Sequence, residues 1–165
     1  MKKILRRSFQ ILLLAFIVIQ FFRPAKNISS QISDNDITKK YTVPLAALTV
    51  LQNSCFDCHS NNTHYPWYFN IQPVAWFLNS HIKDGKRGLN FSEFGAYSIG
   101  KQYRRYNDII ENVKQDEMPL NSYLWIHRDA KLSDNQKHTL TDWATEMRHN
   151  MEAIYPKDSL EKKKK

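Results

Sequence analysis

The apolar positions of this chain fall into one long run near the start and then into short stripes at helical spacing. The run extends from Ile11 to Ile19, is lengthened by Phe9, Phe21 and Phe22, and is interrupted by Gln10 and Gln20. Lys2, Lys3, Arg6 and Arg7 precede it, giving a basic n-region followed by an apolar h-region. Counted from Ile4 to Phe22, at about 1.5 Å per residue, the segment nearly matches a bilayer core. The pattern predicts an N-terminal transmembrane or signal-anchor helix within 1–26. A cleaved signal peptide is the competing reading, although no small-x-small site follows. In both cases the basic flank stays in the cytoplasm and the remainder is exported.

After this leader, NISSQISDNDITKK (27–40) is polar and reads as a linker. From Pro44 the helical stripes begin. Leu45, Leu48 and Leu51 form a short helix that delivers the chain to Cys55. NNTHYPWYF (61–69) is a loop with turn formers and an aromatic cluster. Pro73, Val74, Phe77, Leu78 and Ile82 make a second stripe, which Gly85 and Gly88 are expected to end. Ile99, Tyr103, Tyr106, Ile110 and Val113 step by four, three, four and three, so a third amphipathic helix is predicted. Ser133 with Gln136 forms a capping-box start, and Leu140, Trp143, Ala144, Met147 and Met151 share the face that follows. No stretch alternates as a strand does. The expected fold class is all-α, with one domain over 41–155 and a charged tail over 156–165.

The formal charge of +8 invites a nucleic-acid reading. Six of the 24 basic residues lie in 1–26, however, and four form the run Lys162 to Lys165, so fourteen remain to face all 16 acidic residues. The domain itself is near neutral, and no nucleic-acid partner is expected.

Both cysteines fall in Cys55-Phe56-Asp57-Cys58-His59. A disulfide scaffold is thereby excluded, because the two thiols belong to one short motif. Two thiols three residues apart can add to the two vinyl groups at one porphyrin edge, and the adjacent imidazole can ligate the iron. One covalent haem c on Cys55, Cys58 and His59 is the reading this pattern favours. An irregular zinc site that adds His64, or a redox dithiol, are the alternatives.

For the opposite iron ligand the first choice is Met118, which stands just before Pro119 at the end of a helix. Its competing role is plain packing. His64 is too near the motif to cross to the other ring face. His81 and His127 are surface residues or partners of a haem propionate, and His138 and His149 look solvent-facing. Tyr103, Arg104, Arg105 and Tyr106 pair with propionates or form a solvated helix face.

With these residues in view, the chain resembles the bacterial haem-binding domain family of small monohaem CxxCH proteins. The resemblance runs from about Tyr41 to Trp143 and rests on four blocks. They are CFDCHSNNTHYPWY (Cys55 to Tyr68), NIQPVAWFLNSHIKDGKRGLNFSEF (Asn70 to Phe94), EMPL (Glu117 to Leu120) and HRDAKLS (His127 to Ser133). The order of helix, CxxCH, loops, Met and final helix is similar to a class I cytochrome c. That similarity implies a small helical domain around one haem, with His59 and Met118 as axial ligands. Relatives are sometimes joined to peroxidase-like modules, but this chain has no second CxxCH.

The expected function is electron transfer by a non-enzymatic, cytochrome c-like protein. It would be anchored to the inner membrane through its N-terminal helix, face the periplasm and exchange electrons with redox partner proteins. A haem-based redox or gas sensor, or an accessory module of a peroxidase-type system, is the alternative.

Overall fold

A computed structural model of the chain describes residues 1–161. The terminal run 162–165, part of the expected charged tail, lies outside the described residues. The chain is 68% helical, and no strand occurs among the described residues, so the all-α expectation holds.

The N-terminal expectation needs correction. Helix α1 (Lys2–Ile19) has 18 residues, all of them largely outside the core, and among the described residues no helix is long and apolar enough to cross a membrane. The physical reason is that Lys2, Lys3, Arg6 and Arg7 lie inside the helix instead of flanking it. Its uncharged part, from Ser8 to Ile19, rises only about 18 Å, against about 30 Å of hydrocarbon.

The stretch 27–40, expected as a free linker, lies against the domain. The Asn27 N–H donates to Tyr65 Oη at 2.6 Å, and its side-chain amide donates to the Ser60 carbonyl at 2.8 Å. Asp36 caps α2 (Ile37–Lys40) by accepting from Thr38 N–H at 2.9 Å, and Ile37 is fully buried. A polar composition hid this strap, because its polar groups bond to the domain instead of to water.

The core is built from α3 (Leu45–Ser54), α6 (Ile99–Lys114) and α8 (Asp134–Ile154), closed at one end by α9 (Lys157–Leu160). Tyr106 is fully buried at its centre. Its ring meets Phe94 at 5.1 Å and Trp143 at 5.6 Å between centroids, edge-on and tilted arrangements that suit the ring quadrupoles. The predicted capping box of α8 is present in both directions, Ser133 to Gln136 and back, and Leu140, Trp143, Ala144, Met147 and Met151 are all buried. Two aromatic core residues that the pattern did not place, Phe91 and Phe94, come from a 3-10 segment over Phe91–Ala96.

Beside this core lies a second, looser layer. It consists of α4 (Phe56–His59), α5 (Val74–Gly88), α7 (Asn121–Leu124) and the connection that leaves α6. The second stripe ends at Gly88, one of the two glycines expected to close it, and α5 runs through Gly85. A Cβ on Gly85 would stand 2.6 Å from the Cys58 carbonyl oxygen. The glycine is therefore what lets α5 press against the turn that carries the cysteines.

Candidate functional site

Cys55 ends α3 with its N–H on the Leu51 carbonyl, and the next turn closes onto it. Cys58 and His59 both donate their N–H to the Cys55 carbonyl, at 3.2 and 3.0 Å. The spacing of three on one helical turn sets both thiols on the same side. Both cysteines are free and both line one cavity. Burial pushes the thiol pKa up to about 12 for Cys55 and about 11 for Cys58. The sulfurs are protonated, poor metal ligands in this state, yet each carries the hydrogen needed for addition across a double bond.

His59 is held by backbone contacts from Leu89 and Gly85 and by an aromatic one. Its Nδ1 lies 2.9 Å from the Leu89 carbonyl oxygen, and because a carbonyl can only accept, Nδ1 bears the proton and Nε2 keeps its lone pair. The edge of Phe91 approaches the imidazole at 6.4 Å and 74°. Burial lowers the pKa of His59 below its ordinary 6.5, so the neutral ring that an iron requires is favoured.

The cavity encloses about 430 Å³, within the range of small-molecule and cofactor pockets. Leu51, Leu89, Phe91, Ile109 and Val113 give it an apolar wall. Met118 lines the same cavity, so the structure brings together all four residues singled out in the sequence: Cys55, Cys58, His59 and Met118. The route to Met118 is a turn at the end of α6. Asp116 adopts the left-handed conformation at φ 57°, after which Glu117 and Met118 both donate their N–H to the Asn112 carbonyl, at 2.9 and 3.2 Å.

The histidines separate. His81 lines the cavity, with Nδ1 2.9 Å from the Phe77 carbonyl of its own helix. His64 is fully exposed, and His138 and His149 are exposed as well. His127 is half-buried outside the cavity and stacks on Tyr123 at 4.1 Å and 12°. Among the described residues no three His, Cys, Asp or Glu side chains come together as a bare-metal site, which leaves the zinc alternative without a geometry.

Two contributors escaped the sequence reading. Gly85 is one. The other is Tyr123, which lines the cavity and donates its hydroxyl to Asp57 Oδ2 at 2.9 Å. Burial and the Asp57 carboxylate push its pKa upward, so it remains a donor. Asp57 also accepts the His64 N–H at 2.9 Å on Oδ1, fixing the loop that follows the motif. The signal for this role was its position between the cysteines, on the turn that joins the cavity to the loop after the motif.

The donor set suits a haem. Two protonated thiols share one edge of an apolar cavity, an imidazole offers Nε2, a thioether lines the same space, and a buried guanidinium nitrogen, Arg105 Nε, has no partner among the described residues. No curated protein and no solved structure matches the chain. A family model described as "Haem-binding domain" matches residues 14–146. That span takes in the last third of α1, the strap, the cavity and most of α8, and it establishes that the chain belongs to the haem-binding domain family.

Proposed function

We propose that this chain carries one covalent haem c on Cys55 and Cys58, with His59 and Met118 on the iron, and that it transfers single electrons on the periplasmic side of the inner membrane. The observation that carries this reading is the convergence of the two thiols, the open Nε2 of His59 and Met118 on one apolar cavity. Cys55 and Cys58 would hold the group by adding their S–H bonds across its two vinyl C=C bonds, each C–S bond forming as the thiol hydrogen passes to the neighbouring carbon, with no oxidant consumed. When bound, the haem supplies a one-electron Fe(III)/Fe(II) couple. The protein's part is to fix the imidazole through Leu89, exclude water with Leu51, Phe91 and Ile109, and keep the Met118 thioether beside the ring.

The basic and then apolar leader supports export, since haem c is attached after translocation. A helix too short to span still suits the h-region of such a signal. The partners are redox proteins, and the chain is assigned no catalysis of its own.

The test is a haem stain of the denatured protein with an alkaline pyridine spectrum. Haem retained through denaturation, with a two-thioether spectrum that disappears in Cys55→Ala/Cys58→Ala, is the expected result. Haem lost on denaturation overturns covalent attachment. Met118→Ala should abolish the weak red charge-transfer band of thioether-ligated ferric haem. A wild type lacking that band overturns Met118 as ligand and favours His81, whose Nε2 is open on the same cavity. A sensor draws support from the slender backbone tether of Met118. Rapid carbon monoxide binding to the ferrous protein would replace the carrier reading with that one.

A further inference from the structure

The four residues Tyr103, Arg104, Arg105 and Tyr106 occupy little more than one turn of α6, and the structure sends them in different directions. Tyr106 is buried in the core. Tyr103 Oη donates to Glu152 Oε1 and accepts from Arg148 Nη2, both at 2.5 Å. Arg104 Nη1 lies near Gly100, where α9 comes close. Arg105 alone of the four lines the cavity.

Its guanidinium is half committed. Nη1 donates to Asp108 Oδ2 at 2.5 Å, and the side chain is 30% exposed. Nε is buried and has no partner among the described residues. A guanidinium binds a carboxylate through two parallel N–H bonds, either end-on through both Nη atoms or side-on through Nε and Nη2. Asp108 sits on Nη1, so the side-on edge is the one it leaves open. A buried N–H without an acceptor costs about 1–3 kcal/mol, which an incoming carboxylate oxygen would recover.

The charges of the lining make the same choice. Asp57, Asp84 and Asp108 line the cavity, and Arg105 is the one arginine or lysine there among the described residues. Asp84 is paired with Arg87 at 2.6 Å and Asp108 with Arg105 at 2.5 Å, while Asp57 accepts from the Tyr123 hydroxyl. The free edge of Arg105 is therefore the cationic contact the lining offers a ligand that is apolar across its body and anionic at one edge. The nearby Asn112 amide does not compete, because it donates to the Asp108 carbonyl at 2.6 Å. The ion pair alone holds the guanidinium against the Asp108 carboxylate.

We propose that Arg105 is the carboxylate receptor of the cavity: its Nε–Nη2 edge takes one haem propionate while Nη1 remains on Asp108. This rests on the haem reading and adds which edge of the cavity receives the acidic side of the porphyrin. Arg105 is thus a positioning residue for the ring, with Asp108 as its brace.

The experiment uses the mature haem-loaded protein, comparing wild type with Arg105→Gln and Arg105→Lys by resonance Raman spectroscopy and redox titration. Glutamine removes the charge and the paired edge, whereas lysine keeps the charge and removes the edge. The propionate bending mode should shift in both variants. The midpoint potential should fall in Arg105→Gln alone, by roughly the 59 mV that corresponds to a tenfold change for one electron, because ferric iron gains most from the loss of a nearby positive charge. If glutamine prevents folding, the Raman shift in the lysine variant decides. An unmoved propionate mode in both variants overturns the assignment of Arg105. A wild type without thioether-bound haem overturns the haem reading beneath it.

Discussion

The two layers of this small domain are finished to different degrees. Around Tyr106 the packing closes on itself, with Phe94, Trp143, Leu140 and Met151 filling the space between α6 and α8. Around Cys58 an apolar cavity of about 430 Å³ remains, lined by two free thiols, by the His59 ring and by Arg105, whose Nε has no partner among the described residues. Both layers hold orphaned polar atoms: Tyr106 Oη, with Trp143 Nε1 and Arg148 Nε on α8, in the first, and Arg105 Nε in the second. The same observation means opposite things in the two places. In the packed layer no space adjoins Tyr106 Oη, so it is a cost. In the cavity layer the orphan belongs to a side chain that lines room for a ligand, so it is an attachment point. The α6 helix carries Tyr106 Oη and Arg105 Nε on successive residues and forms the wall between the layers.

The largest expected effect breaks the cavity layer while sparing the core. Gly85→Ala places a Cβ 2.6 Å from the Cys58 carbonyl oxygen, an overlap that forces α5 away from the motif turn. We expect a loss of about 2 kcal/mol in denaturant titration together with poorer haem attachment. Gly88→Ala, whose Cβ meets nothing within 4 Å, is the control and should be neutral or slightly stabilising.

A smaller effect sharpens the contrast from the core side. Tyr106→Phe deletes the unpartnered buried hydroxyl and keeps the ring contacts, and we expect thermal melts to show a gain of about 1 kcal/mol. A loss of stability would mean that the hydroxyl has an acceptor.

The smallest is a pH effect confined to the haem-free chain. Burial lowers the folded pKa of His59 below 6.5, so between that folded value and 6.5 the unfolded chain binds a proton that the folded chain does not. Stability from this group is complete above 6.5 and declines as pH falls below it. Chemical denaturation of wild type and His59→Gln from about pH 7.5 to about 5 should show a shallower acid slope in the variant.

Much of the packed layer was legible in the chain. The Ser133 and Gln136 pair announced the start of α8, and the stripe from Leu140 to Met151 gave its buried face, because local chemistry and helical period suffice for both. In the site, Cys55, Cys58 and His59 were legible as a contiguous motif, and Met118 as a thioether at a helix end. What stayed hidden depends on approach through space. Gly85 and Gly88 read together as a helix stop, which Gly88 is, whereas Gly85 admits the Cys58 carbonyl from another segment. Arg105 could not be told from Arg104 and its tyrosine neighbours, since one turn of helix points consecutive residues toward a cavity, a core and a distant helix. The strap over 27–40 looked solvated because its polar groups gave no sign that their acceptors were Ser60 and Tyr65. The charged residues of α1 were visible, but whether they flank the helix or lie within it decides its reach.

The turn that presents Met118 sets a local timescale as well as a position. The backbone amides of Glu117 and Met118 share a single acceptor, the Asn112 carbonyl, beyond the last turn of α6. A segment held by so few bonds, here with one further ion pair from Lys137 to Asp116 at 2.6 Å, opens at a free energy well below that of global unfolding. Hydrogen exchange at these two amides should therefore outpace that of Ile109 and Ile110 while the α6 ladder stays closed. One face of the cofactor cavity is hinged, and the face built on His59 and Leu89 is fixed.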